Sequence, residues 1–247
     1  MAYVSTNTTT LKYATTCANQ VETATITGNI TVAGNISITV TGKNIIGSPL
    51  VVPVAVTTAD TTGTLIATKV KTALGLKSEI TNYYTIGGSG GTVTLTAIVP
   101  TENDSTLNIA SATGTATGLT PSPTSVNTTL GGTFNKLVDI IGYPDMGSAP
   151  SKLDTTTLSE SLAKTSIFGL QEAPDLSFEC NYDETTLNTI NELTASNYFL
   201  QLDFGTEDGR FNWQGQIKAF VNGGGVDEVR KMTIVLGTST PISFGMN

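Results

Sequence analysis

Leu176-Ser177-Phe178-Glu179-Cys180-Asn181-Tyr182 alternates apolar and polar residues over its whole length. Successive side chains of a strand point to opposite faces, so this stretch predicts a strand with one buried and one wet face. The same period recurs downstream. Leu200, Leu202 and Phe204 alternate with Gln201 and Asp203, and Phe211, Trp213, Ile217, Ala219 and Val221 alternate with Asn212, Gln214, Gln216 and Lys218. Asn222-Gly223-Gly224-Gly225 predicts a turn into a last long strand that Met232, Ile234 and Leu236 open. After the first strand, Asp183 is placed to cap a short helix with Leu187, Ile190 and Leu193 on one face. Long antiparallel strands with one helix between them predict a sandwich or barrel.

Upstream, Leu137–Ile141 reads as a strand ending in the turn cluster Gly142-Tyr143-Pro144-Asp145-Met146-Gly147. Residues 142–166 are polar and rich in Thr and Ser, which predicts a long loop or an extended hairpin. So long a loop is uncommon in a compact domain and usually serves function or a partner.

Residues 20–125 read differently. Ile36, Ile38 and Val40 alternate with Ser37, Thr39 and Thr41, and Leu50–Val56 is a second strand. Asp60 is a helix cap by type, Leu65, Ile66, Val70, Ala73 and Leu74 form a helical stripe, and Gly75 suits the position that stops it. Tyr84–Ile86 and Thr92–Val99 are strands around the turn Gly87–Gly91, and Leu107–Ala110 is the last strand before a Pro- and Ser-rich loop or linker at 118–124. This predicts a small α+β unit, one helix packed on a sheet.

Composition divides the chain in the same place. Its 247 residues carry a net charge of −8, no histidine and 46 threonines. Residues 1–133 hold five lysines and five acids, so the whole −8 lies in 134–247, with twelve of the sixteen aromatics. The absence of His excludes a Ser-His-Asp triad, a Cys-His pair and His-ligated zinc or haem. The negative charge argues against a general nucleic-acid binder. The first twenty residues lack the basic and apolar regions of a signal peptide, and no apolar run is long enough to insert in a membrane. Cys17 and Cys180 are read as reduced, buried thiols.

Candidate chemistry is thin. Gly87–Gly91 lacks the Gly-Lys-Thr/Ser ending of a phosphate loop. Asp139, Asp145 and Asp154 lack calcium-loop spacing and read as solvated acids. Glu207-Asp208-Gly209 reads as a hairpin tip, and Trp213 as a packed strand residue rather than a sugar platform. The reading is of a non-enzymatic chain with no cofactor.

Several segments in order carry a resemblance. Phe134-Asn135-Lys136-Leu137-Val138-Asp139-Ile140-Ile141, then Pro144-Asp145-Met146-Gly147-Ser148, then Lys152-Leu153-Asp154-Thr155-Thr156-Thr157-Leu158 resemble the tail tube (major tail) proteins of long-tailed bacteriophages. Phe168-Gly169-Leu170, Leu176-Ser177-Phe178, Phe211–Ile217 and the opening Ser5–Tyr13 fit the same pattern. The resemblance implies a discontinuous tube domain, 1–17 with 128–247, of the tail-tube sandwich or barrel type with one short flanking helix. Residues 18–127 are then an inserted small α+β domain on the outer surface.

The resemblance further implies copies assembled into rings, expected to be hexameric, that stack into the hollow conduit for DNA ejection. The expected partners are further copies of the chain, a tape measure protein, a tail terminator and a tail initiator or distal tail protein. DNA passes without specific binding. The expected location is the virion tail, after synthesis in the host bacterial cytoplasm. Glu179, Gln201, Asp203, Gln214 and Gln216 are the candidate lumen-facing residues, since acids and amides repel or ignore phosphate. Asp145, Lys152, Asp154, Thr156 and Glu160 are the candidate inter-ring residues. The rival reading is a virion-surface or cell-surface adhesin that forms no tube.

Overall fold

A computed structural model describes residues 9–147, 151–156, 164–168, 174–193, 196–205 and 209–245. The fold is mainly β, with several antiparallel sheets and three short helices. The chain divides into two compact units: residues 9–15 with 134–245, and residues 16–133. The first strand, β1 (Thr10–Ala14), belongs to the discontinuous unit.

The continuous unit holds β2 (Val21–Thr25), β3 (Thr27–Val32), β4 (Gly34–Thr41), β5 (Leu50–Val56), helix α1 (Gly63–Gly75), the single-turn α2 (Ser78–Thr81), β6 (Tyr84–Gly87), β7 (Thr92–Ala97), β8 (Asn108–Thr113), β9 (Thr117–Thr120) and β10 (Val126–Thr129). They form sheets of order β10-β2-β7-β6, β5-β4-β8 and β3-β9. Alternation sets the core: Ile36, Ile38 and Val40 of β4 and Val52, Val54 and Val56 of β5 are buried, as are Val93 and Leu95 of β7. Ile66, Ala67, Val70 and Leu74 join them from α1. Gly118 has a φ of +99°, and a Cβ there would lie 2.0 Å from the Asn29 carbonyl oxygen, so β3 and β9 approach too closely for any side chain.

Several expectations for this unit are corrected. It has two helices and three sheets, not one helix on one sheet. Thr62, not Asp60, caps α1, its Oγ1 accepting from Leu65 N–H at 3.4 Å. Asp60 instead accepts from Thr57 N–H and from Lys69 Nζ. Gly75 ends the helix without a left-handed backbone, and Leu76 is the C-cap. Leu65 of the predicted stripe is exposed. The segment read as a linker overlaps β9, and Ser122 is hydrogen-bonded with Ser111. The boundaries move from 17/18 and 127/128 to 15/16 and 133/134. The cause is backbone pairing: β10 is laddered to β2, and Gly132 exchanges hydrogen bonds with Thr101 and Asn103.

The discontinuous unit adds β11 (Asn135–Gly142), β12 (Lys152–Asp154), β13 (Ser166–Phe168), β14 (Leu176–Asn181), α3 (Glu184–Glu192), β15 (Tyr198–Asp203), β16 (Arg210–Val221), β17 (Lys231–Thr238) and β18 (Ser243–Gly245). Its large sheet runs β15-β1-β11-β14-β17-β16-β18, and β15 also pairs with β16. That pairing closes β15-β1-β11-β14-β17-β16 into a cycle of paired strands; β18 lies outside the cycle on β16. Register puts Leu11, Leu176, Phe178, Cys180, Leu200, Leu202, Trp213, Ile217, Ile234 and Leu236 on one face, and all are buried. Trp213 stacks on Phe178 with centroids 6.4 Å apart. Asp183 caps α3 as expected, accepting from Thr186 N–H at 2.8 Å, and the helix packs on β16.

Candidate functional site

Cross-strand register places all five lumen candidates on the face of the cycle opposite Trp213 and Phe178. The structure then divides them. Glu179 and Gln216 are exposed, Asp203 and Gln214 are half-buried, and Gln201 is fully buried. Gln201 is therefore removed as a lining residue. Its Nε2 donates to Asn212 Oδ1 at 3.1 Å, and Asn212 and Arg210 beside it on this face are buried too. Period-two alternation assigns the face but not its cover.

The acids on this face are also matched by cations. Lys12 Nζ lies 2.6 Å from Asp203 Oδ2, and Arg210 stands opposite Asp203 in the β15–β16 ladder. Lys231 Nζ is 3.8 Å from Glu179, and Lys218 is exposed on β16. The net charge of the chain is thus not expressed as an unbroken acidic stripe at these positions.

The inter-ring candidates sit on a second feature. Asp145 is exposed after β11. Lys152, Asp154 and Thr156 lie on the β12–β13 hairpin, which is the extended-hairpin alternative for 142–166, while Glu160 lies outside the described residues. The hairpin is built from local bonds. Thr155 N–H donates to Thr165 O at 2.9 Å, and Thr165 N–H donates to Thr156 Oγ1 at 3.1 Å. The Thr156 hydroxyl and backbone N–H both donate to Asp154 and hold its carboxyl below the usual range.

Every residue of β12 and β13 is exposed. Leu153 and Ile167 stand opposite each other at 53 % and 56 % exposure, and Phe168, opposite Lys152, is 72 % exposed. Ile167 was not singled out by sequence reading, because a strand this short carries no period. A second unforeseen feature is an aromatic row. Tyr143, Phe204, Phe211 and Phe244 follow one another at centroid distances of 5.3, 5.8 and 5.2 Å, with Tyr143 and Phe244 exposed at its ends.

Of the thiols, Cys180 is buried and burial pushes it up to about 11. Cys17 is only half-buried, a correction, and its Sγ lies 3.2 Å from Thr101 O. Among the described residues no group of three or more Cys, Asp or Glu side chains is arranged to hold a metal ion, and no helix is long and apolar enough to cross a membrane. No protein-family model and no curated protein matches the chain.

Proposed function

We propose that the chain is a structural, non-enzymatic subunit of a phage tail tube, assembling through copies of itself into stacked rings around a DNA conduit. The motifs of 134–158 suggest the family, and the observation that carries the reading is the β12–β13 hairpin. An isolated two-stranded hairpin is marginal in water. This one leaves Leu153, Ile167 and Phe168 exposed on three-residue strands. Such a surface is stabilised when a neighbour covers it, each side chain contributing roughly 1–2 kcal/mol. The closed cycle with its single flanking helix suits a wall element that presents such an arm. The 142–166 segment, with Asp145, Lys152, Asp154, Thr156 and Glu160, is then the ring-to-ring contact, and Glu179, Asp203, Gln214 and Gln216 remain the candidates for the DNA-facing wall. Tape measure, terminator and initiator proteins are the further partners of this reading.

The test is electron microscopy of the purified full chain over a range of salt and concentration, with and without a tail initiator complex. Rings or tubes are expected. A permanently monodisperse monomer under all conditions overturns the reading, and glycan or cell binding without assembly replaces it with the adhesin.

A further inference from the structure

Glu22 is a carboxyl group set into the core face of the 16–133 unit. It is 1 % exposed and stands in register between Leu95 of β7, which is fully buried, and Asn127 of β10. Its hydrogen bonds can be accounted for atom by atom. Oε1 accepts from the Ser125 hydroxyl. Asn108 Oδ1, 3.1 Å from the same hydroxyl, accepts from Ser125 N–H at 2.8 Å and so does not depend on that proton. Ser125 Oγ itself accepts from Ile109 N–H at 2.8 Å.

Among the described residues Oε2 of Glu22 is buried without a donor, and so is Oδ1 of the facing Asn127. Turning the Asn127 amide over does not cure this. Its Nδ2 donates to Asn103 Oδ1 at 3.0 Å, and that oxygen also accepts from Gly131 N–H at 3.0 Å. Asn103 therefore presents an acceptor, and Asn127 must give it the NH2 group. Two buried acceptors on directly paired residues, with Cβ atoms about 5 Å apart in such a pair, lack one donor between them. An ionised carboxylate cannot supply it, whereas a neutral carboxylic acid can.

The surroundings favour the neutral form. Burial pushes the Glu22 carboxyl up, the Ser125 hydroxyl pulls against it, and the charge of Asp104 adds to the rise. Asp104 is the charged group set against Glu22; Leu95, Asn127, Ser125 and Asn108 around it are uncharged. A divalent cation is the rival occupant, but it needs more oxygens than remain. Asp104 Oδ1 is taken by Thr106 N–H and hydroxyl, and Oδ2 by Lys43 N–H.

We propose that Glu22 is held as a neutral carboxylic acid whose proton is donated to Asn127 Oδ1, making a proton-dependent clasp between β2 and β10. β10 is the edge strand of its sheet and pairs with β2 alone among the strands of that sheet. Ionising Glu22 leaves a buried charge and two unmatched acceptors on that ladder, so raising the pH loosens β10. The sign follows from linkage. The folded state keeps this proton to higher pH than the unfolded state, so stability is greatest below the ordinary glutamate range and falls as pH rises to the shifted value. Within that window the folded-to-unfolded ratio falls by up to about tenfold per pH unit.

The experiment uses the full chain labelled with 13C at glutamate carboxyls. The Glu22 resonance, identified by its loss in Glu22→Gln, is titrated by NMR, and amide exchange of β10 and thermal unfolding are followed over the same pH range. The expected result is a Glu22 carboxyl that titrates above the other glutamates, with β10 exchange accelerating as it ionises. Glu22→Gln, whose amide can donate to Asn127, should unfold without that pH dependence. A Glu22 resonance that titrates with or below the other glutamates overturns the proposal. So does a pH profile unchanged in Glu22→Gln, or a wild-type stabilisation by calcium or magnesium that Glu22→Gln abolishes.

Discussion

Tyr13 of β1 and Asn135 of β11 stand directly opposite each other in an antiparallel ladder, although the whole 16–133 unit lies between them in sequence. The chain leaves the closed cycle and re-enters it on neighbouring strands, as a hairpin does. Each unit also has its own continuous core. Replacing residues 16–133 by a short Asn-Gly-containing turn should therefore give a folded 1–15/134–247 protein. Circular dichroism and a cooperative thermal transition check the fold, and microscopy checks whether tubes still form. An unfolded product would mean that the 16–133 unit is needed for the cycle to close.

Phe168 is 72 % exposed and contributes to neither core, so Phe168→Asp should leave the melting temperature within a degree or two, about the effect of a neutral surface change. Under the tube reading the same variant should stop long tubes, as should deletion of residues 148–161, leaving rings or monomers. Normal tubes from both would remove the hairpin from the assembly contact.

Lys12 and Asp203 are both largely shielded, with side-chain exposures of 20 % and 14 %. Removing one partner takes this ion pair from the other. Asp203→Asn should cost about 1–3 kcal/mol, between the values for exposed and buried pairs. Urea unfolding of Asp203→Asn, Lys12→Met and the double variant isolates the coupling. Additive losses would show that the pair contributes nothing of its own.

Trp213 is 3 % exposed, yet its Nε1 is buried without an acceptor among the described residues. Trp213→Ala should cost about 3–5 kcal/mol through the cavity it leaves against Phe178. Trp213→Phe should cost much less, because it also removes the unmatched N–H. Equal losses for the two would mean that the indole N–H has a partner.

For Asp60, burial would raise the carboxyl, but Lys69 and the Thr57 N–H and hydroxyl outweigh it and hold it below the usual range. Its contribution is present above the ordinary aspartate range and lost as pH falls through the lowered value. Asp60→Asn should be less stable at neutral pH and flatter on the acid side. Acid titration of thermal stability checks this, and the slope is opposite in sign to that expected for Glu22.

The amino-acid sequence alone specifies most of the strands, the cap at Asp183, the turn at 87–91 and the break between strands at 222–225. These follow from local periods and backbone preferences, which act within a few residues. It placed Glu179, Gln201, Asp203, Gln214 and Gln216 on one face correctly, because alternation is a property of the strand. Tertiary contacts alone bury Gln201 while leaving Gln216 wet, return β15 to β16 to close the cycle, and turn Asp60 to Lys69 rather than the helix end. They alone set Glu22 opposite Asn127, more than a hundred residues away in sequence. Burial, closure and pairing of distant polar groups depend on which segments meet, and no local period carries that information.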